Sequence, residues 1–489
     1  MIVLINPWST PSPKRPLPMS LLAIASLLEG EFDYEIVDGN LSPDPVAVVE
    51  AIAAAKALTA IGITVMPGPQ LVHSVHVSRE LKRRFPGVPI VWGGYFPSQH
   101  AEVCLRDPAV DFCVRGQGEQ TFLLLMRALV GGGTPSEIEG LSFKSEGTIR
   151  QTAARPLAAL DPLPDWPYHR VPMERYLHRH YLGSRVAAHH SSYGCPFACT
   201  FCAVGAMANQ RWVAESPDRV ARVIGRLMRD YGADAVQFHD MDFFISEPRT
   251  AAIAERLARL GVTWWALGRV DELMRYSEQT WQAMSASGLK MLFCGAESGS
   301  TDTLKRMNKG GAATAELTLE LARRMKAFGV VPELSFVVGN PPDPETDLRH
   351  TLEFIRRVKA INPAVEIILY VYAPVPRDGA FDRDAQAQGF RFPETLDEWV
   401  DCRWQAFALR RDPRTPWSQG SIRRKVRNFE TVLNAYYPTV TDTRLTPARR
   451  RLLRTTASWR YHSRAHGFPV ELNLLQRVFK YRRPETTGF

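Results

Sequence analysis

The sequence lacks a second cysteine pair to match its one cysteine cluster. Seven cysteines stand in 489 residues, and three of them, Cys195, Cys199 and Cys202, crowd into eight positions. The others, Cys104, Cys113, Cys294 and Cys402, are scattered singly. An odd, unevenly spaced set excludes a disulfide framework and points to metal binding in a reducing setting, so a cytoplasmic location is expected. Structural zinc asks for four ligands, often as two Cys-x-x-Cys units, and only one group is present here. Long hydrophobic runs are also missing. The longest weakly polar stretch, residues 45–66, is interrupted by Glu50 and Lys56, which excludes a membrane-spanning helix there. Residues 1–5 are apolar but carry no basic leader and end at Asn6 and Pro7, at strand rather than signal-peptide length. There is no internal repeat and no low-complexity segment.

Hydrophobic residues make up 45% and charged residues 23%, the balance of a globular protein, and the length implies two to four domains. The first 140 residues alternate short apolar strands (residues 2–5, 34–37, 60–65, 89–92 and 111–114) with helical stretches. This pattern predicts a parallel, doubly wound, Rossmann-like α/β domain. Residues 141–185 read as a proline-rich linker with a small hairpin at its start. A second strand–helix series over residues 186–385 has six strands, short of the eight in a closed barrel, and predicts a partial (β/α)6 barrel. Residues 386–489 read as basic helices. From Arg403 onward, 19 Lys and Arg face 5 Asp and Glu, about +14 against about −5 for the rest of the chain.

The segment Gly194-Cys195-Pro196-Phe197-Ala198-Cys199-Thr200-Phe201-Cys202 follows the first barrel strand. Three thiolates suit an iron–sulfur cluster and leave one iron of a [4Fe–4S] centre open to an incoming ligand. CxxxCxxC with an aromatic before the last cysteine resembles the signature of radical S-adenosylmethionine enzymes. The resemblance implies that the open iron binds the amino and carboxylate groups of the cofactor's methionine. Reduction by an electron donor such as flavodoxin or ferredoxin then yields a 5′-deoxyadenosyl radical. It also implies that Phe201 lies beside the adenine, that Asp240 rather than Asp242 receives the ammonium, and that Glu297 and Ser298 lie near the ribose. Gly339 would then lie against adenine. Arg269 would pair with the methionine carboxylate or, equally, with Asp271.

In the N-terminal domain, Thr64-Val65-Met66 resembles the Ser-x-Leu element of cobalamin-binding domains and Gly93-Gly94 their Gly-Gly element. Thr64, Met66, Gly93 and Gly94 are thereby implied to contact cobalamin. The chain departs from the family's Asp-x-His-x-x-Gly pattern. After Asp38, Asn40 replaces the histidine and Pro43 the glycine, so any bound cobalamin is expected base-off with no histidine on cobalt. His73, His76 and His100 read as surface or capping residues.

The resemblance to cobalamin-dependent radical enzymes covers about residues 1–380. It implies methylation of an unactivated carbon in a small-molecule or lipid-like substrate. The alternative is a radical cyclase of the same architecture, like the anaerobic magnesium-protoporphyrin ester cyclase. A non-enzymatic iron–sulfur sensor is disfavoured by the barrel motifs. An RNA target would use the C-terminal arginines with Trp404, Trp417, Tyr436, Tyr437, Trp459 and Tyr461, but such aromatics more often pack helices. An anionic surface is a further partner for the basic tail. Tyr370, Tyr372 and Arg377 are candidate pocket residues.

Overall fold

The structure is a computed structural model that describes residues 1–12, 14–309, 313–376, 379–410, 415–417, 420–442 and 445–481. Arg377 lies outside these residues. The first sheet holds β1 (Ile2–Asn6), β2 (Tyr34–Asp38), β3 (Ala60–Thr64), β4 (Ile90–Gly93), β5 (Phe112–Val114), β6 (Leu141–Ser145) and β7 (Thr148–Gln151). Its order is β2-β1-β3-β4-β5-β6-β7, with β1 to β5 parallel. β1 and β3 are buried along their whole length, which explains their unbroken apolar runs. Strand order reverses between β1 and β3. Ligands of doubly wound sheets bind at such a switch point, outside the carboxyl ends of the strands. The expected linker hairpin is β6–β7, and it extends the first sheet by antiparallel pairing of β6 with β5.

The second series comprises β8 (Val186–His189), β9 (Ser192–Gly194), β10 (Trp212–Ala214), β11 (Ala235–Phe238), β12 (Thr263–Arg269), β13 (Leu289–Glu297), β14 (Val331–Val338) and β15 (Glu366–Val371). Six of these form one open parallel sheet in the order β15-β14-β13-β12-β11-β8. The sequence suggests one strand over residues 186–192, but it breaks after His189. β9 instead pairs antiparallel with β10, and this small ribbon carries the cysteine loop. Gly194 makes the turn at φ +83, where a Cβ would meet the Arg211 carbonyl oxygen at 2.2 Å.

After residue 380 the described chain is helical, with long helices over Ser421–Tyr436, Pro447–Ser463 and Val470–Phe479. Its aromatic residues are mostly packing groups. Phe390, Phe392, Trp399, Trp404 and Phe407 form a ring cluster, and Trp399 closes it onto Phe96 at 5.2 Å and His100 at 4.9 Å. His100 stands at the junction of the helices Tyr95–Gln99 and Ala101–Arg106, a capping position as expected, and is half-buried against these rings, which pushes its pKa down to about 4. Tyr436 stacks on Tyr461 at 4.3 Å, which removes both from any base-stacking surface. Arg79 and Asp397, 2.8 Å apart, add an ion pair between the N-terminal domain and this segment.

Candidate functional site

The middle of the cysteine loop is held by the segment that follows the helix Thr301–Arg306. Thr200 N–H donates to the Met307 carbonyl at 2.9 Å, and Asn308 Nδ2 donates to the Ala198 carbonyl at 3.0 Å. Cys199 and Phe201 are buried in one apolar cluster with Val65, Trp92 and Phe96 of the first sheet. The cysteine loop thus packs against the domain that carries Gly93-Gly94. None of these three cysteines forms a disulfide. Burial pushes the Cys195 thiol up to about 12, with the neighbouring Cys199 and Cys202 adding to the rise, and Cys202 shifts the same way. Such thiols become ligands when a cation supplies compensating charge, since coordination deprotonates them outright. Among the described residues, no three His, Cys, Asp or Glu side chains are grouped to hold a single metal ion. The mutual influence of three thiols on one loop fits a multi-iron cluster.

Around the cysteines lies a charged cage. Arg269, at the end of β12, donates from Nη1 to Cys199 Sγ at 3.2 Å and stacks 3.7 Å from the Phe197 ring centroid. Its Nε and Nη2 grip Asp271 at 3.0 and 2.9 Å. Of the two pairings considered for Arg269, the one with Asp271 is made, so the guanidinium fork is not free for a carboxylate. It positions a thiolate instead. Glu297 ends β13 with φ +62, a strained conformation for a non-glycine residue. It accepts a hydrogen bond from Lys309 Nζ at 2.8 Å, and that ammonium lies 5.8 Å from the Phe201 ring centroid. Lys309 is buried and was not anticipated. Its sequence signal is slight, a lysine in Met307-Asn308-Lys309-Gly310-Gly311 at the end of a helical stretch.

The acidic pair after β11 behaves differently from expectation. Asp240 is fully buried, and both its oxygens are taken by the hydroxyls of Ser191 and Ser192. Asp242 is also buried, yet its Oδ2 has no hydrogen-bond partner. Burial pushes Asp242 up to about 7, against the pull of Arg269 and Lys309, and its charge acts on Cys195. A buried carboxyl oxygen without a hydrogen-bond partner, close enough to Cys195 for its charge to raise that thiol, is an open acceptor at this site. Of the two, Asp242 keeps an oxygen without a hydrogen-bond partner, whereas both oxygens of Asp240 accept from serine hydroxyls.

Ser298 is buried and accepts from Ser300 N–H at 3.1 Å, while Ser300 caps the helix Thr301–Arg306 through Thr303 N–H at 3.3 Å. Gly339 adopts φ +76 and donates its N–H to Asp347 Oδ2 at 3.0 Å. A Cβ there would only touch Ile422 at 3.4 Å, so the positive φ rather than space is what favours glycine. Tyr372 is buried against Phe381 and Trp417, which removes it from any pocket lining, whereas Tyr370 stays half-buried.

At the switch point of the first sheet, Thr64 Oγ1 lies 3.0 Å from Ser20 Oγ, and Gly94 sits beside it at φ +97. Met66 is exposed past the end of β3, as are Trp8 after β1 and Leu409 of the C-terminal region. Leu409 is also the nearest side chain to the open face of Gly68, at 3.7 Å. This glycine-lined, apolar-rimmed strand terminus fits the flat ring and nucleotide tail of cobalamin. Asn40 is turned inward. Its Nδ2 donates to Asp38 Oδ1 at 3.1 Å, and its Oδ1 accepts from Ser9 N–H at 3.0 Å. Tyr176 hydroxyl donates to the other Asp38 oxygen at 2.7 Å. Asn40 is thus a loop brace. His73 is half-buried and accepts from Trp8 N–H at 2.8 Å.

The family described as B12 binding domain matches residues 13–126, and the Radical SAM superfamily matches residues 190–355. An uncharacterized methyltransferase of Pyrococcus horikoshii is 29% identical over 345 residues, covering 70% of this chain and 73% of its own. The anaerobic magnesium-protoporphyrin IX monomethyl ester cyclase of Synechocystis is 26% identical over 317 residues, covering 62% of this chain and 61% of its own. Among solved structures, the cobalamin-dependent S-adenosylmethionine radical enzyme OxsB with aqua-cobalamin and S-adenosylmethionine aligns with TM-score 0.66. The identity is 16%, with 98% of this chain and 75% of that one covered, so the likeness is one of fold. Among the described residues, no helix is long and apolar enough to cross a membrane. With the B12-binding match over the first sheet and the Radical SAM match over the second sheet and its cysteine loop, the chain joins a B12-binding domain to a radical S-adenosylmethionine domain, and its cofactors include cobalamin and S-adenosylmethionine.

Proposed function

We propose that the protein methylates an unactivated carbon of a small-molecule or lipid-like substrate, with Cys195, Cys199 and Cys202 as the cluster's protein ligands. The observation that carries this reading is the packing of Cys199 and Phe201 into the core that also holds Val65 and Trp92. It brings the radical-generating loop and the cobalamin glycines to one interface. When bound, the cluster with S-adenosylmethionine supplies a carbon-centred radical and cobalamin carries a methyl group. The chain's own residues bind and orient. Asp242 Oδ2 accepts the methionine ammonium, Lys309 neutralises Glu297 beside the ribose, and Phe201 covers the adenine. Arg269 fixes Cys199 by a charge-assisted hydrogen bond. Thr64, Gly93 and Gly94 receive the nucleotide tail of cobalamin, and Met66 covers the end of β3. Asn40 braces the loop and leaves cobalt without a histidine. A small one-electron donor, flavodoxin or ferredoxin, reduces the cluster, and the compartment is the cytoplasm.

The test is anaerobic incubation of the reconstituted, reduced protein with S-adenosylmethionine deuterated in its methyl group. Mass spectrometry should find 5′-deoxyadenosine and the label on the extracted corrinoid. A second reading, oxidative radical ring closure, is favoured by the likeness to the Synechocystis cyclase. It predicts 5′-deoxyadenosine with no transfer of label, a result that would end the methylation reading.

A further inference from the structure

The helix Val470–Phe479 is apolar on two sides. Inward, Leu472 is fully buried, and Leu475 and Phe479 pack against the core. Outward, Val470, Leu474 and Val478 recur every four residues on one face. Trp459 on the preceding helix and Phe468 just before this one are exposed as well, and the five residues are 57–78% exposed. Arg460 ties the two parts together. It lies 4.6 Å from the Trp459 ring centroid and donates to the Phe468 carbonyl at 3.2 Å. Leu452, on the neighbouring helix, is exposed too. So many large apolar side chains exposed on two packed helices mark an interaction site.

Charge says what covers it. Residues 447–480 hold eight Arg and Lys against a single acidic residue, Glu471. Arg449, Arg451, Arg454 and Arg477 are exposed on these two helices, with Lys480 just past the second, while Arg464 pairs with Glu353 at 2.8 Å and Glu471 is already neutralised by Arg460. Two copies of so cationic a face repel each other, which disfavours self-association. Exposed Trp, Phe and aliphatic side chains interleaved with arginine suit the headgroup boundary of an anionic bilayer. There the apolar groups enter the interface and the guanidinium groups stay with phosphate.

We propose that this face, formed by the helices Pro447–Ser463 and Val470–Phe479, docks the enzyme on the surface of anionic phospholipid membranes. The docking does not depend on the reading of the catalytic centre. The test is flotation of the full reconstituted chain with vesicles of phosphatidylcholine alone or with 30 mol% phosphatidylglycerol, at low and high salt. The protein should bind the anionic vesicles at least tenfold more tightly than the neutral ones and release in about 0.5 M salt. The double variant Leu474→Glu/Val478→Glu should lose binding at least tenfold while still cleaving S-adenosylmethionine. Val130→Glu, a charge on an exposed apolar residue of the N-terminal domain, should float like the unaltered chain. Absence of flotation, equal flotation of the double variant, or a solution dimer that Leu474→Glu dissolves would overturn the proposal.

Discussion

Replacing Gly93 and Gly94 by alanine, one at a time, separates what the glycines do for the fold from what they do for cobalamin. At Gly94 the backbone sits at φ +97 and ψ −160, a region that side-chain-bearing residues avoid at a cost of about 1–3 kcal/mol. A Cβ there would also lie 3.2 Å from Thr64 Oγ1 and 3.3 Å from the Val65 carbonyl oxygen, so these neighbours must give way by a few tenths of an ångström. Gly94→Ala should therefore lower the melting temperature by roughly 2–10 °C even without cofactor. At Gly93 the nearest atoms to a new Cβ are those of Val114 at 3.9 Å, ordinary contact, and φ is not in the left-handed range. Gly93→Ala should melt within about 2 °C of the unaltered chain. On the proposed reading its methyl group would stand in the path of the cofactor tail, so cobalamin affinity should fall at least tenfold. The assay is anaerobic absorbance titration with cobalamin alongside thermal melting of the cofactor-free protein. If Gly93→Ala binds cobalamin within twofold of the unaltered chain, the assignment of this strand end to cobalamin is wrong.

Asp242→Asn should leave the melting temperature nearly unchanged, because Oδ2 has no partner to lose. It should weaken S-adenosylmethionine binding by roughly 10- to 100-fold, the value of one charge-assisted hydrogen bond. Asp240→Asn should do the reverse, destabilising the fold through the lost serine contacts, and equilibrium binding with melting curves on both variants decides between them. Lys359 is fully buried, donates to the Pro363 carbonyl at 3.1 Å and has its pKa pushed down to about 7 by burial. Between pH 7 and the ordinary lysine value near 10.5, the unfolded chain holds a proton that the folded chain does not. Stability from this group is thus lowest below pH 7 and rises with pH through that window, by a total on the order of 4 kcal/mol. Lys359→Met should remove this rise, so the difference in melting temperature between variant and unaltered chain must change steadily from pH 7 to pH 10. A constant difference would refute it.

Much of both sheets was legible because buried parallel strands and amphipathic helices write themselves as short apolar runs and spaced apolar faces. The strands at residues 2–5, 263–269 and 366–372 were readable for that reason. The break after His189 was not, since Ser191 and Ser192 look like strand continuation and only the pairing of β9 with β10 shows the ribbon. The cysteine loop was legible because three thiols in eight residues have few other uses. The cage around it was less so. Asp240 and Asp242 differ by which serines fold back onto them, a tertiary fact that local pattern does not encode. Lys309 lies just past the helix Thr301–Arg306, twelve residues after Glu297, and only the way that helix folds back brings the two together. Arg269 showed both its options in sequence, and the pairing with Asp271 two residues on was the local one. The C-terminal aromatics could be read as base-stacking or as packing, and the rings at 4–6 Å from one another favour packing.

The most direct measurement is electron paramagnetic resonance with iron and sulfide analysis of the anaerobically reconstituted, reduced protein, with and without S-adenosylmethionine. The account predicts four irons per chain and a reduced-cluster signal that shifts when S-adenosylmethionine occupies the open iron. Both should be lost in the Cys195→Ala/Cys199→Ala/Cys202→Ala variant, while cobalamin still binds. Zinc at the loop, or a cluster signal indifferent to S-adenosylmethionine, would contradict it.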